Sequence, residues 1–235
     1  MLGYGQVSQG AQAVLESFPL ERLEPNELPT LTNPGEVRRD RIYLTVFKEE
    51  DLVRPLGNRS FVLEDYYQHP EHYESKFADY LPFITIVVNG IYWDSRYPRF
   101  VTWSDLKRLS GTGGPSRLAG IADITCDVGG SIECNVKATN SGAPAYLCDP
   151  VGQSVVDGHR GDGILMLAVD NLPAELPQDS SAFFSTRLRD FVPSLLEADY
   201  SEPLKKSGLP AELRDAVIVY NGELTSEYRY LEDHV

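Results

Sequence analysis

At 235 residues the chain can hold one large domain or two small ones, and its 42% hydrophobic content suits a globular core. Twenty-one basic against 35 acidic side chains leave a formal charge of −14, which argues against nucleic acid or an anionic membrane as partner, since both select basic patches. No apolar run approaches the roughly 20 residues of a membrane span, and the opening residues carry no secretory signal pattern.

The first chemical signal comes at once. Gly3-Tyr4-Gly5-Gln6-Val7-Ser8-Gln9-Gly10-Ala11 sets two glycines as G-x-G ahead of a helix predicted over 8–17, with Ala11, Val14, Leu15 and Phe18 at helical spacing. Such a turn lets backbone approach a pyrophosphate, and the next helix supplies free N–H groups and a partial positive charge. The dinucleotide fingerprint is matched in part, because Ser8 stands at the third glycine position. Only Met1 and Leu2 precede Gly3, so the strand that opens such a unit is expected to be missing. Leu20 to Glu24 reads as a short second strand, and Glu24 falls where dinucleotide folds place an acid on the adenosine ribose. Arg22 beside it leaves room for a 2′-phosphate, so both NAD and NADP stay open.

Residues 25–40 read as a helix–loop connection, and Ile42 to Phe47 as a strand. The polar stretch 48–72 is broken by Pro55, Gly57 and Asn58, and a helix is predicted over 70–80 with Tyr73, Phe77 and Tyr80 on one side. Phe83 to Val88 is the clearest strand, a continuous apolar run of the kind covered on both faces in a parallel sheet. It ends at Asn89-Gly90-Ile91-Tyr92-Trp93, which is either a cofactor wall at the carboxyl edge or a turn packed on the core. Thr102 to Leu106 resembles a capped helix start, and Gly111 to Pro115 a linker.

Strands are predicted over 118–125, 145–148 and 164–169. The first runs into Asp123-Ile124-Thr125-Cys126-Asp127-Val128-Gly129-Gly130, a carboxylate and glycine cluster suited to orienting a substrate, or else a solvated turn. The last closes on Asp170-Asn171-Leu172-Pro173. A long helix is predicted over 177–198 with a kink at Pro193, then a helix-to-strand segment over 211–219, a turn at Asn221-Gly222 and a frayed tail. Cys126, Cys134 and Cys148 are odd in number and widely spaced, which predicts reduced thiols. His69 and His72 form H-x-x-H, but with no acidic or cysteine cluster evident to complete it no metal is expected.

Taken in order, G-x-G-Q-V-S-x-G-A-Q at 3–12, L-E-P-N-E-L at 23–28, N-G-I-Y-W at 89–93, D-I-T-C-D-V-G-G-S-I-E at 123–133, G-I-L-M at 163–166, V-D-N-L-P at 169–173 and R-D-A-V-I at 214–218 resemble one family. It is the lysine–ketoglutarate reductase part of the bifunctional aminoadipic semialdehyde synthases. More distantly the motifs resemble the fungal lysine-forming saccharopine dehydrogenases and the alanine dehydrogenase/transhydrogenase group. The resemblance covers essentially the whole chain. It implies a reaction in which lysine and 2-oxoglutarate form an imine that NADPH or NADH reduces to saccharopine. It also implies roles: Gly3, Gly5, Gln6 and Val7 along the pyrophosphate, Glu24 on the ribose, Asn89 and Gly90 flanking the cofactor. Ala122 would touch the nicotinamide half, and Val169, Asp170, Asn171 and Leu172 would close over it. Asp123, Ile124 and Thr125 would line the saccharopine pocket.

In that family the proton donor and acceptor belong to a separate N-terminal substrate domain, which these residues do not match, so no catalytic pair is assigned. The expectation is an α/β, Rossmann-type parallel sheet lacking its first strand over 1–175, then a helical segment over 176–235 returning toward that substrate domain. A saccharopine dehydrogenase domain is a further expected partner. The expected compartment is the cytoplasm, with the mitochondrial matrix as alternative. A catalytically inactive regulatory or assembly module is the alternative function.

Overall fold

The computed structural model describes residues 1–32, 37–111 and 117–234, so most of the predicted linker at 111–115 lies outside the described residues. Two units are distinguished, Met1–Asn171 and Leu172–Val235. The first runs α1 (Gln6–Leu15), β1 (Leu20–Arg22), β2 (Ile42–Leu44), α2 (Glu49–Leu52), β3 (Val53–Pro55), α3 (Leu63–Gln68) and β4 (Tyr73–Ser75). It continues through β5 (Ile86–Asn89), α4 (Trp103–Ser110), β6 (Gly120–Asp123), β7 (Ala145–Asp149), β8 (Ser154–Asp157) and β9 (Ile164–Leu167).

Five strands form one sheet in the order β5-β6-β9-β7-β8. The pairs β5–β6 and β6–β9 are parallel, whereas β9–β7 and β7–β8 are antiparallel. The sheet is therefore mixed rather than wholly parallel. The reason is local: only a short turn joins Asp149 to Ser154, and parallel neighbours need a crossover of a dozen or more residues. A separate parallel pair, β1–β2, matches Leu20 to Ile42 and Arg22 to Leu44.

Where the missing strand was expected, Met1 and Leu2 alone hold the central place. Leu2 makes parallel bridges to both Phe47 and Asn89, joining the chain beyond β2 to β5. Away from this point β2 and β5 line a cavity of about 570 Å³, into which Ile86 turns, 61% exposed. The apolar run 83–88 is thus covered on one face only along part of its length. Leu2, Phe47, Phe77, Val87, Ile121 and Met166 sit in one buried core. Phe47 packs edge-on to Phe77 with ring centroids 5.1 Å apart, and against Tyr80 at the same distance.

Helix α4 forms as its sequence predicts. Thr102 Oγ1 accepts from the Asp105 backbone N–H at 3.2 Å, the Asp105 carboxylate accepts from the Thr102 N–H at 3.0 Å, and Leu106 and Leu109 supply the buried face. Thr102→Ala is expected to cost about 1 kcal/mol in a urea unfolding measurement.

The helix predicted over 70–80 does not form. Its aromatic spacing arises from two different elements: Tyr73 lies on β4, opposite Pro55 of β3, and Phe77 opens a separate short 3₁₀ turn. The Tyr73 hydroxyl is held by Asp65 Oδ2 at 2.9 Å, which ties β4 to α3. The polar stretch 48–72, where no long element is expected, carries α2, β3 and α3, each too short for a periodic signal.

In the second unit the predicted long helix is divided into α5 (Pro177–Leu188) and α6 (Val192–Glu197), with α7 (Ala211–Asp215) following. Pro193, which lacks an N–H, lies in the first turn of α6 and so starts a helix instead of kinking one. No residue of α5 or α6 is buried, including Phe183, Phe184 and Leu196. A hairpin of β10 (Val219–Tyr220) and β11 (Glu223–Leu224) turns through Asn221 and Gly222, both at positive φ, the two-residue turn that Asn-Gly favours. Among the described residues no helix is long and apolar enough to cross a membrane.

Candidate functional site

Leu2 positions the site. Its N–H donates to Val88 O at 2.8 Å and its carbonyl accepts from Gly90 N–H at 3.2 Å. On the other side Phe47 N–H donates to Met1 O at 2.9 Å, and Gly3 N–H to Phe47 O at 3.1 Å. The glycine loop therefore emerges between two strand ends, at the carboxyl edge where open α/β sheets bind ligands. A cavity of about 260 Å³ opens there, lined by Gly3, Tyr4, Gly5, Phe47, Lys48, Glu49, Tyr66, Tyr67, Gly90 and the aromatic run through Trp93.

The three glycines differ in what they do. Gly3 has φ +84°, and a Cβ there would stand 2.8 Å from Ile91 Cγ2, so the turn itself requires glycine. At Gly90 a Cβ would reach 3.1 Å from Val7 Cγ1, so this glycine lets α1 approach the end of β5. A Cβ at Gly5 would meet nothing within 4 Å. Gly5 is also the N-cap of α1 and supplies no side-chain cap, leaving the first-turn N–H groups of Gln6, Val7 and Ser8 without intrahelical acceptors. Ser8, in place of the third glycine, is buried and its Oγ accepts from Gln12 Nε2 at 3.0 Å.

Glu24 is not among the cavity residues. It follows β1, which pairs with β2, whereas Leu2 bridges to Phe47 beyond β2 and to Asn89. The chain that does adjoin Leu2 is the segment beyond β2 at Phe47, and Glu49 follows it into the cavity. Glu49 Oε1 accepts from the Tyr67 hydroxyl at 2.8 Å and from Tyr4 at 3.5 Å. Burial and the Glu49 charge push the Tyr67 phenol well above its ordinary value, so it stays a donor. Glu49 was legible in principle, as an acid just past the predicted strand 42–47. Tyr66 and Tyr67, brought in by α3, carried no such signal.

Asn89 and Asp123, at the ends of β5 and β6, face each other inside the protein. Asn89 Nδ2 donates to Asp123 Oδ1 and to Ser131 Oγ, both at 2.9 Å. Thr125 Oγ1 donates to Asp123 Oδ1 at 2.7 Å, and Asn135 Nδ2 to Asp123 Oδ2 at 2.9 Å. With Asp123 only 2% exposed, the structure uses both carboxylate oxygens to tie the loop after β6 to two strand ends. Ala122, Ile124 and Thr125 adjoin this network on the same edge. Val169 bridges to Thr139 just beyond β9, and Asn171, at φ +55°, turns the chain so that its N–H donates to Asp170 Oδ1 at 2.7 Å. Leu172 begins the second unit. Cys126 Sγ donates to Ala168 O at 3.1 Å, and burial together with Asp170, Asp123 and Asp127 raises its thiol above the ordinary range, which makes it a poor nucleophile.

Residues 95–227 match the family described as alanine dehydrogenase/PNT, C-terminal domain. The chain belongs to this family. Its members are pyridine-nucleotide-dependent oxidoreductases. The alanine dehydrogenase/PNT chain is also 35% identical over 98% of its length to the alpha-aminoadipic semialdehyde synthase of Bos taurus, a mitochondrial protein of which it covers 26%. Against the synthase of Arabidopsis thaliana it is 38% identical, covering 97% of this chain and 22% of that one. The saccharopine dehydrogenase [NAD(+), L-lysine-forming] of Emericella nidulans is 30% identical over 48% of the chain and 27% of its own. The resemblance read from the motifs is thus borne out, and the chain spans about a quarter of the length of the curated relatives it matches.

Proposed function

We propose that this chain is the nucleotide-binding part of a reductase that joins lysine to 2-oxoglutarate, taking NADH or NADPH as cofactor and yielding saccharopine. One observation carries the reading: Leu2 places a glycine loop and an uncapped helix N-terminus beside an aromatic-walled cavity at the carboxyl edge of the sheet. The residues suit a dinucleotide. Gly5 leaves open the space a Cβ would fill, the amides of Gln6 and Val7 offer donors to a pyrophosphate, and Glu49 offers an acceptor to ribose hydroxyls. When bound, the nicotinamide supplies the hydride.

The chain's own residues bind, orient and exclude water. The Asn89–Asp123–Asn135 network holds the carboxyl ends of β5 and β6 and the loop after β6 in one geometry, and Ile124 and Thr125 on that loop face the substrate side. Val169, Asp170 and Asn171 close the nicotinamide end. The proton donor and acceptor come from another part of the full polypeptide, to which α5 and α6, with no buried residue, offer a surface. Without such groups turnover falls by roughly 10²–10⁴-fold for each.

The test places residues 1–235 in a chimera at the corresponding segment of the Arabidopsis thaliana synthase. NAD(P)H oxidation that requires both lysine and 2-oxoglutarate is expected. Intact nucleotide binding with no such oxidation would favour the regulatory or assembly reading instead.

Glu49 also predicts cofactor choice. A carboxylate at the ribose repels a 2′-phosphate, so NADH is expected to bind more tightly than NADPH. Glu49→Arg is expected to reverse the order by tenfold or more, read as the ratio of the two dissociation constants. An unchanged ratio in Glu49→Arg would return the role to Glu24.

A further inference from the structure

We propose that His69, Glu71 and His72 form a binding site for a divalent transition-metal ion of the Zn²⁺ class, separate from the nucleotide cavity. H-x-x-H lacks an acidic or cysteine cluster around it in sequence; in the fold Glu71, within the pattern, supplies a third ligand atom. A 3₁₀ turn, Pro70–His72, joins α3 to β4, and buried Pro70 fixes its course. The turn brings the two imidazoles into a stack, with centroids 5.0 Å apart and planes 26° from parallel. His69 Nδ1 lies 3.2 Å from Glu71 Oε1, and one ligand atom from each of the three residues falls within 4.8 Å of the others.

These distances fit a metal. Donors bonded at about 2.0–2.1 Å around a tetrahedral ion stand about 3.3 Å from one another. The His69–Glu71 edge is already at that spacing, and the remaining edges close by rotation of side chains that are half-exposed.

The second observation is an anomaly at His72. Its Nδ1 is buried and has no hydrogen-bond partner among the described residues, which is rare for a buried polar atom. The Asp65 carboxylate oxygen nearest it stands 3.5 Å away and is itself anchored by the Tyr73 hydroxyl at 2.9 Å. That is the pattern of a metal-bound histidine, whose second ring nitrogen donates to a carboxylate that fixes the tautomer and the ring. Metal on Nε2 makes Nδ1 an obligatory donor and draws it to Asp65. Two imidazoles and one carboxylate favour Zn²⁺, Co²⁺ or Ni²⁺ over Mg²⁺ or Ca²⁺, with solvent at the open position. Such an ion would staple the end of α3 to β4.

Untagged protein titrated with Zn²⁺ in a calorimeter, and with Co²⁺ in a visible spectrometer, tests the site. One equivalent of Zn²⁺ is expected with a dissociation constant on the order of micromolar, and Co²⁺ is expected to develop the visible bands of a low-coordinate N/O site. His69→Ala and His72→Ala should each weaken binding at least tenfold, Glu71→Gln likewise, and Asp65→Asn by a smaller factor, with the thermal melt of metal-free His69→Ala and Glu71→Gln unchanged. Absence of saturable binding by wild-type protein, or stoichiometric binding that survives both histidine substitutions, would overturn the proposal.

Discussion

Gly5→Val is expected to weaken NADH and NADPH binding by roughly 100-fold, about 2.8 kcal/mol, while the protein stays folded. The argument rests on what a side chain at this position meets. A Cβ at Gly5 finds no protein atom within 4 Å, and the residue's φ of −71° is one that any amino acid adopts. Valine is a poorer helix N-cap than glycine, so stability falls by about 1 kcal/mol and no more. Its methyl groups occupy the approach to the first-turn amides of α1, where a pyrophosphate must come close. Gly3→Val provides the contrast. It forces a β-branched residue to φ +84° with its Cβ 2.8 Å from Ile91, and is expected to lower the melting temperature by far more. Fluorescence titration with NADH and a thermal melt of each variant separate the two effects. Wild-type affinity in Gly5→Val would remove the phosphate loop from the site.

Asp123→Ala is expected to destabilise the protein by about 3 kcal/mol or more, measured as a shift in urea midpoint at constant slope. The carboxylate accepts from Asn89, Thr125 and Asn135, and its loss strands buried donors on Asn89 and Asn135 in a space too enclosed for bulk water. Each stranded donor costs about 1–3 kcal/mol, against a typical total stability of about 5–15 kcal/mol. Asp123→Asn should cost less. It keeps one acceptor oxygen for Asn89 and Thr125, but turns an amide toward the Asn135 amide, whose own oxygen is engaged by the Tyr146 hydroxyl at 3.2 Å. A carboxylate whose work was only to meet a solvent-borne substrate would show neither effect. An unchanged urea midpoint in Asp123→Ala would contradict the network.

Much of this was legible in the residues, for reasons that differ by element. The capped start of α4 announced itself because Thr102 and Asp105 satisfy each other locally, with no help from distant chain. The turn at Asn221-Gly222 was legible because few residue pairs accept two positive φ angles. The glycine loop was visible, yet Gly3 and Gly5 of the loop and Gly90 after β5 carry no mark in sequence that tells their roles apart. Only packing shows that Gly3 and Gly90 serve close approach and that Gly5 is free for a ligand. Glu24 illustrates the limit. Counting residues from the glycine loop presumes that the next strand in sequence is also the next in space, and here β1 pairs with β2 whereas Leu2 bridges to Phe47 beyond β2. Asp123 was singled out for its position at a strand end. Its burial depends on Asn89, 34 residues away, and no local pattern encodes that. The antiparallel β8 escaped because Ser154 to Asp157 is short and mostly exposed, which leaves no apolar run to detect.

Hydrogen exchange with and without saturating NADH measures the central claim most directly, because it reports where the nucleotide sits rather than what a substitution disturbs. Slower exchange is expected at the amides of residues 5–8 and 90–93, which flank the cavity at the carboxyl edge. Protection confined to the opposite cavity between β2 and β5, or no protection by NADH or NADPH anywhere in the first unit, would contradict it.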